Sequence, residues 1–451
     1  MKRHFTQWLY ATALFAFAAG PSIHAQNSPN NPTSPTNPTG PNSGATDPGV
    51  RKGAAGAGGP ISGLTPSELA AFNNFMSTFT EVETVTTGLG PGYNLDSCTG
   101  CHAQPAAGGS SPAINPQIAS ATKDGANNTV PHFLSQNGPV REVRFVQNSN
   151  GTPDGGVHNL FSIAGRRDAP GCQEPQTDFS NTSNLRFRIP TPTFGGGLIE
   201  SIPDSVIVAN LAANSQMKRA FGISGHTNNS GNDGTVTRFG WKAQNKSLTI
   251  FAGEAYNVEE GVTNPVFPNE RNWNSACMYN GTPEDAPNFA TNQVSDIEAF
   301  ATVMRFLAPP QPATVAASTS AGQSNANGLS VFNRIGCSLC HTPSLTTGKS
   351  SSAALSNVTV NLFSDLAVHD MGQGLADNIT QGSAQGDEFR TAPLWGLGQR
   401  IYFLHDGRTS DLVQAIQAHA SNGSEANMVI QMFNALRNSD AQDLLNFLRS
   451  L

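Results

Sequence analysis

The chain carries Cys-x-x-Cys-His twice, in "SCTGCHAQP" at residues 97–105 and in "GCSLCHTP" at 336–343. Cys-x-x-Cys alone fits a zinc half-site, a redox dithiol or an iron–sulfur ligand pair. A His directly after the second Cys reads as c-type haem attachment. Two thiols at this spacing add to the two vinyl groups of a haem, and the adjacent His becomes the proximal iron ligand. Cys98, Cys101 and His102 then hold one covalent haem c, and Cys337, Cys340 and His341 a second. A four-cysteine zinc site is the rival, but zinc would not call for either His.

Covalent haem attachment takes place outside the cytoplasm, and the N-terminus agrees. Lys2 and Arg3 precede the apolar run "WLYATALFAFAAG", with a cleavage point after Ala25 in "SIHAQ". This is the pattern of a signal peptide over 1–25, too short for a comfortable membrane span. No later stretch is long and apolar enough to span, so the mature protein is expected in the periplasm or secreted. Residues 26–62, rich in Pro, Asn, Ser, Thr and Gly, read as a disordered tether because they offer almost nothing to bury. The formal charge is −7, and losing Lys2 and Arg3 with the signal makes it −9, which argues against nucleic acid as a partner. Two cysteines remain, Cys172 and Cys277, and in an oxidising compartment they most simply form a disulfide.

Two helices run into the two motifs. Leu69, Phe72, Phe75 and Met76 recur with helical spacing in 67–85, as do Leu329, Phe332 and Ile335 before Cys337. The chain closes on "SDAQDLLNFLRSL", with Leu444, Leu445, Leu448 and Leu451 on one face. A helix into the motif and a terminal helix packed on it is the plan of cytochrome c. "LAPPQPATVAAS" (307–318) breaks all periodicity and reads as a linker. The expected fold is mainly α with long irregular loops and minor β. It comprises two cytochrome c-like haem domains, 63–310 (enlarged by an insertion) and 311–451. "VREVRFVQ" alternates as a strand would.

The segment "EFRTAPLWGLGQRIYFLHDGRTSDLVQAIQAHA" resembles the C-terminal haem domain of bacterial di-haem cytochrome c peroxidases. There a Pro-Leu segment leads to a His-Asp-Gly turn and then a Met that is the sixth iron ligand. The matching position, fourteen residues after His405, is His419. The resemblance therefore implies a bis-His iron of lower potential than a His/Met one. Met371 is the thioether alternative, and His405 is expected to pack on the second haem. "FGWKAQNKSLTIFAGEAYNVEEG" resembles the peroxidase stretch from an inter-haem Trp to a distal acid, which implies Trp241 as the electron bridge and Glu259 as the acid. Glu254 is a rival for that role, Tyr256 is a possible pocket neighbour, and Phe251 replaces the relatives' Gln.

Taken whole, residues 90–451 resemble the di-haem oxidoreductase family of peroxidase relatives, with haem-containing rubber oxygenases more distant. The resemblance implies hydrogen peroxide reduced at the N-terminal haem, with electrons relayed through the C-terminal haem. The donor would be a small periplasmic cytochrome c or cupredoxin. A dioxygen-using oxygenase and a non-enzymatic electron-transfer cytochrome are the alternatives. Calcium between the domains is a further implication, without a clear ligand set. His132 and His158 are candidate switchable ligands of the first iron. No His stands at the relatives' spacing after His102, which implies an open site. Glu200, Arg166 and Arg167 lie in motif-like stretches and read equally as structural ion pairs.

Overall fold

A computed structural model describes residues 44–272, 274–288 and 290–451. The signal peptide and residues 26–43 of the expected tether lie outside the described residues. Those described form twelve α-helices and a few sheets of two or three short strands, joined by long loops. Among them, no helix is long and apolar enough to cross a membrane.

The first core is built on α1 (Pro66–Phe79), α2 (Leu248–Glu259) and α3 (Asp296–Phe306). A capping box opens α1: the Thr65 hydroxyl accepts the Glu68 N–H, and the Glu68 carboxylate accepts the Thr65 N–H at 2.7 Å. The helix stops at Phe79, short of the predicted 85. There the Thr80 hydroxyl donates to the Met76 carbonyl, and a Thr- and Val-rich stretch with poor helix propensity follows. Phe79 meets Phe300 of α3 edge-on, and so does Tyr256 of α2. Leu69, expected on the buried face, is exposed. The insertion carries an antiparallel sheet in which β1 (Glu142–Phe145) lies between β2 (Val157–His158) and β3 (Leu185–Arg188). A disulfide joins Cys172 to Cys277 beside this sheet's core.

The second core joins α4 (Ser320–Arg334), α5 (Leu412–Gln417), α6 (Asn427–Asn434) and the terminal α7 (Asn438–Ser450). Val331, Phe332 and Ile335 meet Leu444, Leu445 and Leu448. Gly328 forms the closest approach, because a side chain there would collide with the Asp443 carbonyl and Phe447. The contact face is thus centred one residue away from Leu329, which is exposed. The pair β4 (Val368–Asp370) and β5 (Glu388–Arg390) flanks this lobe.

Two expectations need correction. Residues 44–62 are not a loose tether. Ala45 is buried in the second core, Asp47 pairs with Arg449 at 2.6 Å, and Pro60 bridges Leu307 of the linker. Composition misled here because a strap needs few apolar residues when its polar groups bond to a surface already formed. The cores also do not divide at 310/311. Leu345, Leu355, Leu362 and Trp395 pack into the first core, so residues past 311 contribute to both cores.

Candidate active site

Each Cys-x-x-Cys-His motif opens onto a cavity. Cys98 and Cys101 stand on a single helical turn, and Cys337 on another; all four motif cysteines lie outside the disulfide. The N-terminal cavity is lined by Cys98, Cys101 and His102. The C-terminal cavity is lined by Cys337, Cys340 and His341 and has a largely apolar wall.

Three histidines share one arrangement. The Nδ1–H of His102 donates to the Gly109 carbonyl at 3.0 Å, that of His341 to Phe363 at 3.0 Å, and that of His419 to Ala415 at 2.8 Å. A carbonyl can only accept, so the ring proton sits on Nδ1 and Nε2 keeps its lone pair for a metal. Burial pushes all three below their ordinary value, His341 to about 4, which keeps the imidazoles neutral. His341 and His419 line the same cavity, and Met371 is in that wall too. His369 also lines it but has both nitrogens engaged, Nε2 by Asp365 and Nδ1 by Glu425.

The N-terminal cavity gathers Glu254, Glu259 and Trp241, together with Glu142, Arg144 and Arg188, which sequence reading did not pick out. Glu259 accepts from Asn94 Nδ2 at 3.0 Å and shares a hydrogen bond with Glu142, which is paired with Arg144. Burial and the Glu142 carboxylate push Glu259 well above the ordinary value. Glu142 is also buried, yet Arg144 holds it below the ordinary value. The pair therefore stores one proton, on Glu259. Glu254 accepts from Asn245 Nδ2. Tyr256 points elsewhere, donating to Glu83 at 2.7 Å. Among the described residues lining this cavity, His102 is the one imidazole and no thioether is present. His132 and His158 are not in its wall; His158 stacks on Phe145 and pairs with Asp154. Glu200 pairs with Arg305, and Arg166 with Asp168, as structural ion pairs.

Trp241 lies in the walls of both cavities. Gly240, at φ +84°, turns the chain just before it. The indole N–H donates to the Ile189 carbonyl at 2.8 Å, and the Ile189 N–H donates to the His405 carbonyl at 2.7 Å. The His405 ring meets Trp241 edge-on at 6.3 Å and stacks on Phe389 at 4.2 Å.

The cavities suit anionic prosthetic groups. Arg390 and Arg400 are buried in the C-terminal wall, and among the described residues neither forms an ion pair. Arg390 Nε donates to the Gly240 carbonyl, but its Nη1 is buried without a partner. Burial pulls both guanidinium groups down to about 10. A buried cation of this kind calls for an anion, and a haem propionate supplies one. The buried Nε atoms of Arg141 and Arg188 are likewise without partners beside the N-terminal cavity. Both arginines of the C-terminal wall stand in "FRTAPLWGLGQR", so their place beside a quoted motif was the available signal. Among the described residues no group of three or more His, Cys, Asp and Glu is placed to hold a metal ion, so the calcium expectation has no ligand set there.

Two lobes, two histidine-bearing cavities and one shared tryptophan define a di-haem oxidoreductase. Residues 167–451, more than half of the sequence, match the family model described as "Di-haem oxidoreductase, putative peroxidase". The chain belongs to that family, whose members hold two haem groups and are peroxidase-like oxidoreductases. No curated protein matches the sequence. Solved structures similar to it include hydrazine synthase of Kuenenia stuttgartiensis, with 14% identity over 94% of this chain and 100% of that one, at a TM-score of 0.36. The diheme peroxidase BthA of Burkholderia thailandensis matches at 14% identity over 48% and 65%, with a TM-score of 0.29. A MauG-like protein associated with microbial copper homeostasis matches at 15% over 62% and 93%, with a TM-score of 0.31.

Proposed function

We propose that this protein is an exported peroxidase that reduces hydrogen peroxide beside His102 with electrons passed through the C-terminal lobe. The carrying observation is Trp241, one indole in the walls of both cavities. Cys98 and Cys101 would bind one haem covalently, with His102 as proximal ligand. Cys337 and Cys340 would bind the other, with His341 proximal and His419 as sixth ligand. The haems, when bound, would supply the redox chemistry, the N-terminal one for reducing peroxide and the C-terminal one for taking up electrons from a small periplasmic donor.

The remaining work falls to the side chains. Converting one peroxide to two waters takes two electrons and two protons. Glu259 holds a proton at the cavity wall and can place it on the leaving oxygen, while ionised Glu142 can take the proton of the near oxygen and return it as that oxygen is reduced, with the second net proton drawn from solvent. Arg144 keeps that division of labour. Trp241, fixed at both its indole N–H and its backbone carbonyl, supports electron passage between the lobes. Among the described residues lining the N-terminal cavity, His102 would hold the iron and no second imidazole or thioether is there to compete for it.

A second reading, oxygenation of an organic substrate with dioxygen, is favoured by Phe251. It lines the N-terminal cavity and stacks on Phe239. Low-temperature EPR of the oxidised holoprotein, before and after cyanide, tests the peroxidase reading. We expect a high-spin signal that cyanide converts, beside a bis-His signal that it leaves alone. Two cyanide-indifferent low-spin signals would leave an electron carrier. A stable ferrous–dioxygen adduct with negligible peroxide turnover would favour the oxygenase.

A further inference from the structure

We infer that Asp47, on the N-terminal strap, positions the short helix that leads into His419 and so keeps the second iron's sixth ligand in place. The inference rests on reading His419 as that ligand. The strap crosses the C-terminal lobe with little apolar surface, yet its one acid is almost completely enclosed. Side-chain exposure is 7% for Asp47 and 4% for its partner Arg449. Asp47 Oδ1 accepts from Arg449 Nε at 2.7 Å, and Oδ2 accepts from Arg449 Nη2 at 2.6 Å. The same Oδ2 accepts the backbone N–H of Leu412 at 2.8 Å. That N–H is the first of α5, one of the donors a helix cannot satisfy internally. Three residues on, the Ala415 carbonyl receives the His419 Nδ1–H. Asp47 thus holds one end of a six-residue helix whose other end orients the imidazole.

Arg449 ties the same point to the rest of the lobe. Its guanidinium also donates to the Leu397 and Arg400 carbonyls and lies over the Phe403 ring. Farther along the strap, the Ala54 carbonyl accepts from Gln399 Nε2, while the Gln399 carbonyl accepts from Gln104 Nε2, two residues past His102. The strap is therefore bonded to the surroundings of both haem motifs, but only Asp47 reaches the helix whose Ala415 carbonyl orients His419. Bidentate charge-assisted bonds are among the strongest a surface segment can make. Losing this one should let α5 shift while the His102 site stays as it is.

The test uses the full-length holoprotein with Asp47→Asn, Asp47→Glu and, in case the first folds poorly, Arg449→Lys. The readouts are the EPR signals of the two irons, their midpoint potentials and cyanide affinity at each. We expect Asp47→Asn to convert part of the bis-His signal to high-spin and to raise cyanide affinity at the C-terminal iron about tenfold or more. The N-terminal signal should not change, and Asp47→Glu should restore most of the effect. A fall in melting temperature with both signals and potentials unaltered would overturn the inference and reduce Asp47 to a structural contact. His419→Ala separates the two readings. If it leaves the C-terminal signal untouched, the ligand assignment falls and the positioning inference falls with it, whatever Asp47→Asn does. If it abolishes that signal while Asp47→Asn does nothing, the positioning role alone is lost.

Discussion

At the scale of single residues, what matters is which atom of each side chain is already engaged. His102, His341 and His419 are alike in giving up Nδ1 to a carbonyl, whereas His369, equally buried, has both nitrogens tied to carboxylates. Sequence alone does not tell these four imidazoles apart; the hydrogen bonds decide among them. Glu259 follows the same logic. Its proton is held by burial and by Glu142, so any step using that proton weakens as pH rises through the raised Glu259 pKa. Glu259→Gln should lower kcat with peroxide by about 10²–10⁴-fold and leave the visible spectrum of the resting protein unchanged. Steady-state kinetics across pH would check both the loss and the disappearance of the alkaline limb.

Among elements, the α4–α7 contact is the most exposed to error. Gly328 has no room for even a methyl group against Asp443 and Phe447. Gly328→Ala should destabilise the C-terminal lobe by ~1–3 kcal/mol, despite the better helix propensity of Ala, and urea unfolding would measure it. Leu445→Ala, at a fully buried position of α7, should cost ~2–5 kcal/mol in the same assay. The terminal helix was legible in the sequence because Leu444, Leu445 and Leu448 repeat at helical spacing, and all are buried. The partner face was only half legible. The residue at closest approach is a glycine, which no apolar pattern marks.

For the whole molecule, the lobes are joined by a part-buried polar clasp. Glu425 accepts from the N–H groups of Ser224 and Gly225, from the region before Trp241, and pairs with His369 beside the C-terminal cavity. Burial opposes its charge, but His369 and these donors hold it down at about 2. Its contribution is therefore present above the ordinary carboxylate value and lost as pH falls from there toward 2. Glu425→Gln should lower the melting temperature at pH 7 and bring it close to the wild type at low pH, as calorimetry over that range would show. Trp241 spans the lobes differently. Trp241→Phe should slow electron arrival at the N-terminal iron after reduction at the C-terminal one, with both equilibrium potentials unchanged. Rapid mixing with a reductant would resolve this, and an unaltered rate would remove Trp241 from the path.

The two Cys-x-x-Cys-His motifs and the helices that precede them were legible in the sequence alone, because residue spacing and helical periodicity are local. The pairing of Cys172 with Cys277 needed only a count of the thiols left over. What only the tertiary structure decided involves groups distant along the chain. Glu142 gains its partner Glu259 only in the fold, and Arg390 and Arg400 are buried with no ion pair among the described residues. Asp47 passes from tether to clamp because Arg449 and Leu412 close around it. A charged side chain's function depends on its partners and its exposure, and neither is written in the residues beside it.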